Sequence, residues 1–136
     1  MAETSRPITV VLADDHAMFR EGLALAISED ERLQLVGEAS TGPEALSLIQ
    51  ELAPDVALLD VQMPELDGLA LCERLGQDDP PARTRVVILS AFDDRAFVER
   101  AHQAGCAAYL SKHASREEIR SKLVEVAASS AQGTLS

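Results

Sequence analysis

Five polar residues of the sequence stand at or just after the ends of apolar runs, where their side chains could carry chemistry. They are Asp14 and Asp15 after ITVVLA, Asp60 after VALL, Ser90 after RVVIL and Lys112 after AAYLS. Carboxylate oxygens are ligands that Mg²⁺ prefers. A lysine and a hydroxyl can hold the oxygens of a transferring phosphoryl group, and a carboxylate can itself attack phosphorus. These residue types therefore predict metal-assisted phosphoryl transfer, provided that the fold brings them together.

The apolar pattern of the chain alternates between strands and helices. Apolar, often β-branched runs predict strands at residues 8–14, 33–39, 55–60, 85–91 and 107–112. Apolar residues at helical spacing predict helices at residues 16–30, 41–52, 68–76, 94–105 and 115–129. Thr41 is a candidate N-cap, Ser115 and Glu118 form a capping box, and Gly76 and Gly105 are predicted to end their helices.

Five consecutive βα units predict an α/β fold in which helices cover both faces of a five-stranded parallel sheet, a doubly wound (βα)5 arrangement. Ligands of such sheets bind outside the carboxyl ends of the strands. If the first and third strands are neighbours, Asp14, Asp15 and Asp60 converge within a few ångströms. Carboxylates so close disfavour joint ionisation, so the site needs either a raised pKa or a bound cation.

Composition excludes several classes of function. The 136 residues carry a net charge of −11, which argues against binding of nucleic acid or an anionic membrane by this chain alone. No apolar run approaches a membrane span, and the MAETSRP start lacks a signal pattern, so we expect a cytoplasmic protein. Cys72 and Cys106 are expected to be reduced thiols that pack in the interior.

Four segments together resemble the receiver domain of two-component response regulators. They are VVLADDH, LLDVQMPELDG, VVILSAFDD and AGCAAYLSKHAS. The resemblance covers nearly the whole chain and is strongest to the NarL/FixJ type, whose receivers usually precede a LuxR-type DNA-binding domain. It implies a flavodoxin-like receiver fold and a regulatory phosphoacceptor, not an enzyme that turns over substrates. A histidine kinase would donate the phosphoryl group, and a DNA-binding output domain outside this chain would control transcription.

The resemblance also implies a role for each site residue. Asp60 would accept the phosphoryl group, while Ser90 and Lys112 would hold its oxygens. Mg²⁺ would be bound by Asp15 directly, by Asp14 largely through water, by Asp60 and by the main-chain carbonyl of Gln62. Tyr109 would change rotamer with Ser90 as part of the switch. We expect residues 1–128 to form the receiver, with residues 129–136 as a tail or the start of a linker. The chain would be a domain excised from a longer regulator or, as the alternative, a natural stand-alone receiver.

Some positions depart from the family pattern or have ordinary structural explanations. Ser90 replaces the commoner threonine, and His113 follows Lys112 where many receivers have proline, which puts the geometry of that loop in question. His16 is expected to lie in the first turn of a helix without a metal or catalytic role, and His102 to be solvated. Asp67 is expected to support the loop after Asp60.

The sequence disfavours three rival functions. A haloacid-dehalogenase-type phosphatase would carry an acid two residues after the nucleophile, where this chain has Gln62. A flavin- or dinucleotide-binding module would carry a glycine- or hydroxyl-rich loop after the first strand, and neither is present. A receiver that works without phosphorylation would not need the acids, the hydroxyl and the lysine of a phosphorylation site, and this chain has all of them.

The last helix leads to an expectation about assembly. Ile119, Leu123, Val124 and Val126 are more apolar residues than one inward stripe of a short helix requires, which predicts an exposed apolar surplus. We therefore expect phosphorylation to promote homodimerisation through helix four, strand five and helix five, with a helix one–helix five face as the alternative.

Overall fold

The computed structural model describes residues 6–78, 83–91 and 95–133, with side chains as far as residue 128. Three predicted regions therefore lie partly outside the described residues. They are the MAETSRP start, the segment between the third helix and the fourth strand, and the tail at residues 129–136. Asp94, the first residue of the predicted fourth helix, also lies outside the described residues.

Five strands alternate with five helices along the described chain. The strands are β1 (Ile8–Ala13), β2 (Leu33–Ala39), β3 (Val56–Asp60), β4 (Arg85–Ser90) and β5 (Ala108–Ser111). The helices are α1 (Ala17–Ser28), α2 (Gly42–Leu52), α3 (Gly68–Gln77), α4 (Arg95–Gln103) and α5 (Arg116–Gly133). All paired strands are parallel, in the order β2-β1-β3-β4-β5. The predicted doubly wound fold is confirmed, and β1 and β3 are neighbours.

The sheet separates two apolar layers, and alternate residues of each central strand face opposite layers. In β1, Val10 and Leu12 pack into the layer beneath α1 and α5, whereas Val11 and Ala13 pack into the layer beneath α2 and α3. All five residues of β3 are buried. Burial on both faces explains why this strand is a continuous apolar run.

Helix α5 contradicts one expectation from the sequence. Ile119, Leu123 and Val126 are all buried, and Val124 is half-buried against the same layer. The predicted exposed apolar surplus on this helix is therefore wrong. The helix packs against α1 as well as against the sheet, so its apolar face is wider than a single stripe.

Two helix ends also differ from the sequence prediction. Helix α3 continues through Gly76 to Gln77, because Gly76 has ordinary helical backbone and does not act as a left-handed cap. Helix α5 extends to Gly133, four residues beyond the predicted end, and no glycine or proline interrupts residues 116–132. Gly105 follows α4 with φ of +90°, in the role predicted for it.

The predicted caps form the expected hydrogen bonds. The Thr41 hydroxyl accepts from the backbone N–H of Glu44, and Ser115 likewise accepts from Glu118 at 3.0 Å. Among the described helices, none has the length and apolar character that a membrane crossing would require.

The start of α2 is packed against the loop that follows β3. A Cβ atom on Gly42 would overlap the carbonyl oxygen of Leu66, and the Gly42 N–H lies 3.5 Å from the carbonyl oxygen of Pro64. This backbone contact leaves no room for a side chain. Gly76, in contrast, has no atom within 4 Å of where its Cβ would lie.

Gly42→Ala should lower the free energy of unfolding by about 1–3 kcal/mol, because the loop after β3 must move to admit the methyl group. The matched Gly76→Ala should raise it by about 0.5–1 kcal/mol, because alanine in an open helical position restricts the unfolded chain. Urea unfolding followed by far-ultraviolet circular dichroism measures both. Equal effects of the two substitutions would contradict the close contact at Gly42.

Candidate functional site

The polar residues singled out from the sequence meet at the carboxyl edge of the sheet. Asp14 follows β1, Asp60 ends β3, Ser90 ends β4 and Lys112 follows β5. Because β1 pairs with β3, and β4 joins β3 to β5, these positions lie side by side at that edge. Asp14, Asp15, His16 and Asp60 each place one potential ligand atom within 4.8 Å of the others. The predicted convergence of three carboxylates is therefore present.

Two of the acids are removed from solvent and share one ammonium group. Asp14 is fully buried and Asp60 is 2% exposed. Lys112 Nζ lies 3.0 Å from Oδ2 of each carboxylate. The ammonium also lies 4.8 Å from the centre of the Phe19 ring, a cation–π contact that supports it from the α1 side. Lys112 thus bridges the two buried acids.

Burial and neighbouring charges shift the pKa values of Asp60 and Lys112. Burial raises the pKa of Asp60, and the charge of Asp14 acts in the same direction, against the opposing effects of the Gln62 N–H and of Lys112. Burial alone would lower the pKa of Lys112, but Asp14 and Asp60 raise it overall. Lys112 therefore stays charged at neutral pH. With the three carboxylates ionised, one ammonium leaves a net charge of −2 among these four groups, which a divalent cation would balance.

The donor set fits a hard divalent cation. Asp15 is partly open to solvent beside the buried acids. Within the described part of the chain, Oδ2 of Asp14 has no aligned hydrogen-bond donor, although the Lys112 ammonium is close to it. A buried carboxylate oxygen with an unused lone pair, next to two further carboxylates, suits Mg²⁺ coordination.

The loop after Asp60 is fixed by backbone contacts. The Gln62 N–H donates to Oδ1 of Asp60 at 3.1 Å, and the Gly68 N–H donates to the carbonyl oxygen of Val61 at 3.2 Å. A Cβ on Gly68 would lie 2.6 Å from the carbonyl oxygen of Asp60, which is why glycine is required there. Asp67, at the end of this loop, caps α3 by accepting from the Ala70 N–H, and its predicted support of the loop itself stays a prediction.

Ser90 and Tyr109 lie on adjacent strands next to this site. Ser90 is fully buried, and its carbonyl oxygen accepts a 2.9 Å hydrogen bond from the backbone N–H of Lys112. Tyr109 pairs with Ile88 of β4 and is half-buried in the layer beneath α2 and α3, to which α4 also contributes. The predicted coupling between Ser90 and Tyr109 stays a prediction.

The loop between β5 and α5 is held by Ser111. Its hydroxyl accepts from the His113 N–H at 3.0 Å, and its carbonyl oxygen accepts from the Ala114 N–H at 3.0 Å. This turn directs the Lys112 side chain towards the acids while His113 is exposed. Ser111 thus organises the loop in which His113 stands at the position where proline is commoner in the family.

His16 lies closer to the acids than the sequence predicts, because it was expected to belong to the first turn of α1. It is the N-cap residue of α1, yet its side chain makes no capping hydrogen bond. Instead, Nδ1 lies 3.1 Å from Asp14 Oδ1, 3.2 Å from Asp15 Oδ1 and 3.9 Å from Asp60 Oδ2. The adjacency of His16 to two acids was the available signal, but sequence spacing does not give the side-chain direction. His102 is exposed on α4, as expected.

Comparisons with known proteins bear on this arrangement. A family model described as "Response regulator receiver domain" matches residues 10–124. The chain is 42% identical over 120 residues to "Probable transcriptional regulatory protein NarL" of Mycobacterium tuberculosis, and 38% identical over 112 residues to "Response regulator GacA" of Pseudomonas aeruginosa. These matches cover 88% and 82% of this chain but 55% and 51% of the relatives, so the chain spans about half of their length.

A solved structure agrees with the match. The signal receiver domain of NarL from Mycobacterium tuberculosis has a TM-score of 0.87 to this chain at 40% identity. The alignment covers 90% of this chain and 98% of that domain. Fold and sequence therefore point to the same family.

Asp60→Asn should raise the free energy of unfolding at pH 7 by on the order of 1 kcal/mol, because it removes a poorly compensated buried charge. The folded-state pKa of Asp60 is raised above its ordinary value of 3.8. At pH values above that raised pKa, the ionised carboxylate therefore lowers the free energy of unfolding of the unmodified chain. The gain should shrink as the pH falls and vanish below 3.8, where the carboxyl group is neutral in both states. Urea unfolding at a series of pH values measures it.

Asp55→Asn is the matched control at the other end of β3. Asp55 Oδ2 accepts from the backbone N–H of Thr9 at 2.9 Å and from the Thr9 hydroxyl at 3.1 Å, and its Oδ1 lies 3.5 Å from Arg6. These partners stabilise the carboxylate, so this substitution should give no gain. A similar gain at both positions would contradict the electrostatic explanation.

Proposed function

The chain belongs to the receiver domains of response regulators, and on that premise we propose that Asp60 accepts a phosphoryl group from a histidine kinase. The observation that carries this proposal is the buried Asp60 carboxylate, which ends the central strand beside Asp14 and is paired with Lys112 at 3.0 Å. A carboxylate so placed has an acidic cluster for a metal on one side and a cation for the phosphoryl group on the other.

The proposed transfer conserves atoms and charge. An oxygen of Asp60 attacks the phosphorus of a phosphohistidine, so a phosphorus–oxygen bond forms while the phosphorus–nitrogen bond breaks. The bonding electron pair returns to the imidazole of the kinase, which takes up a proton from solvent. The product is an aspartyl phosphate whose new charge lies at the carboxyl edge of the sheet.

Mg²⁺ is the proposed cofactor. Asp15, Asp14, Asp60 and the main-chain carbonyl of Gln62 would hold it. The fit rests on the clustered carboxylates and on Asp14 Oδ2, which pairs with Lys112 at 3.0 Å but has no aligned hydrogen-bond donor among the described residues. When bound, the ion neutralises charge on the phosphoryl oxygens. Lys112 already carries its charge 3.0 Å from Asp60, so it can follow the phosphoryl group with a short movement.

Ser90 and Tyr109 are proposed to transmit the change. Ser90 is buried at the end of β4, adjacent to β3, where its hydroxyl can hydrogen-bond a phosphoryl oxygen. Tyr109 is on β5, which pairs with β4, so it can fill space that Ser90 leaves. A phosphoryl group needs to favour one of two such arrangements by only a few kcal/mol to reverse their populations.

The proposed output is regulation rather than substrate turnover. Gln62 stands where a phosphatase of the haloacid-dehalogenase type carries its second acid, so only phosphotransfer and self-dephosphorylation are proposed. The relatives named above are called a transcriptional regulatory protein and a response regulator. We propose that this receiver likewise acts in the cytoplasm and controls DNA binding through an output domain. Residues 129–136, of which residues 129–133 form the end of α5, would serve as the start of the connection.

Incubation with acetyl phosphate and Mg²⁺ should add one phosphoryl group to the chain, and Asp60→Asn should abolish the addition. Asp67→Asn is the matched control, because Asp67 caps α3 and asparagine also caps helices well. Intact mass, recorded before the acyl phosphate hydrolyses, measures the product. Undiminished labelling of Asp60→Asn would exclude this residue as the acceptor.

The same assay tests the metal. Excess EDTA should prevent labelling, and Asp15→Ala should reduce it more than Asp14→Ala because Asp15 is the proposed direct ligand. Efficient labelling in EDTA would contradict the proposed cofactor.

Phosphorylation is also proposed to promote homodimerisation through the α4–β5–α5 face. This face adjoins β4 and β5, which carry Ser90 and Tyr109, and Val98 of α4 is 42% exposed on it. The alternative α1–α5 face has exposed apolar residues of its own. Met18 and Leu25 are exposed on α1, and their spacing of seven residues, about two helical turns, puts them on the same side of the helix.

Val98→Asp should weaken a beryllofluoride-induced dimer at least about tenfold, which corresponds to 1.4 kcal/mol, whereas Leu25→Asp should not. Sedimentation velocity with and without beryllofluoride measures the association. The reverse pattern would assign the dimer to the α1–α5 face, and a monomer in both states at high concentration would exclude induced dimerisation.

A further inference from the structure

We propose that His16 supplies an imidazole nitrogen to the cation site, so that this receiver binds Mn²⁺ and later first-row divalent ions in preference to Mg²⁺. The inference rests on the proposed metal site but concerns a residue outside the oxygen donor set described above. It predicts a mixed oxygen and nitrogen coordination sphere.

Two of the distances from His16 Nδ1 match the spacing of adjacent metal ligands, and the contact with Asp14 Oδ1 is also within hydrogen-bonding distance. An octahedral ion with bonds of about 2.1 Å has adjacent donors about 3.0 Å apart and opposite donors about 4.2 Å apart. Nδ1 of His16 lies 3.1 Å from Asp14 Oδ1 and 3.2 Å from Asp15 Oδ1, which are the separations of adjacent donors. Its 3.9 Å separation from Asp60 Oδ2 falls between the two values.

No protonation state of the imidazole satisfies all of its neighbours. The contacts with Asp14 and Asp15 require Nδ1 to donate a proton, whereas the Lys112 ammonium, 3.3 Å away, requires Nδ1 to accept one. A cation among the carboxylates relieves the unfavourable contacts of Nδ1 with Asp14 and Asp15, because Nδ1 then directs its lone pair to the ion and Nε2 carries the proton, while Lys112 keeps its 3.0 Å contacts with Asp14 and Asp60. The arrangement therefore suits a metal ligand better than a hydrogen-bonding side chain.

Asp14 supplies independent support for a ligand at this place. It is fully buried, and its Oδ2, which lies 3.0 Å from the Lys112 ammonium, has no aligned hydrogen-bond donor in the described part of the chain. Its Oδ1 accepts from the backbone N–H of His16 at 2.8 Å, which fixes the histidine backbone beside the cluster. Only rotation of the His16 side chain, which is 64% exposed, is then needed to adjust the imidazole to an ion.

The alternative, that His16 serves the helix alone, is not supported by its contacts. The residue occupies the N-cap position of α1 without a side-chain capping hydrogen bond. Imidazole nitrogen binds Mn²⁺, Co²⁺, Ni²⁺ and Zn²⁺ more readily than Mg²⁺, which retains oxygen ligands and water. The contribution of His16 should therefore appear as metal selectivity.

Electron spin-echo envelope modulation of bound Mn²⁺ tests the inference directly. The unmodified chain should show ¹⁴N couplings from a directly bound imidazole. His16→Ala should lose these couplings and bind Mn²⁺ at least about tenfold more weakly, while its Mg²⁺ affinity changes less than about twofold. Competition dialysis measures the affinities. His113→Ala is the matched control, since His113 is also exposed and follows Lys112, and it should retain the couplings.

The outcomes separate this inference from the proposed function. Mn²⁺ bound without nitrogen coupling, in a chain that still labels at Asp60, would overturn the role of His16 and leave the phosphoacceptor assignment intact. Absence of any Mn²⁺ or Mg²⁺ binding would overturn both the role of His16 and the proposed metal site. Couplings that persist in His16→Ala would assign the nitrogen to another residue and overturn the inference.

Discussion

Buried negative charge at one edge of the sheet is the constraint on which the rest of the site depends. Asp14 and Asp60 are almost completely removed from water, where an uncompensated carboxylate is costly. Lys112 reduces that cost by lying 3.0 Å from both, and the Phe19 ring supports the ammonium from the other side. The pairing of β5 with β4 and the turn at Ser111 place this lysine beside the acids.

Strand order is what turns separate acids into one site. The chain passes from β1 outward to β2 and then returns to place β3 on the opposite side of β1. The carboxyl ends of β1 and β3 therefore flank the point where the winding reverses, which is where ligands of such sheets bind. Asp14 and Asp60 are brought together by this reversal although 45 residues separate them in the sequence.

Most of the fold and the central acids could be predicted, because buried parallel strands and capped helices leave strong local signals. Residues 56–60 are apolar on both faces up to Asp60, and Ser115 with Glu118 begins α5 as predicted. The width of the apolar face of α5 could not be predicted, since it depends on how deeply the helix lies between α1 and the sheet. The direction of the His16 imidazole likewise depends on side-chain rotation, which residue spacing does not specify.

The two sides of the Asp60 peptide differ in mechanical stiffness. On the α3 side, Gly68 lies against the carbonyl oxygen of Asp60, and Leu66 lies against Gly42 of α2, so backbone meets backbone with no intervening side chain. On the β4–β5 side, the neighbours are the side chains of Ser90 and Lys112, which can rotate. A rise in local force at Asp60 therefore meets a stiff wall on one side and a compliant one on the other. We therefore expect a change at Asp60 to move side chains toward β4 and β5 before it moves the backbone on the α3 side.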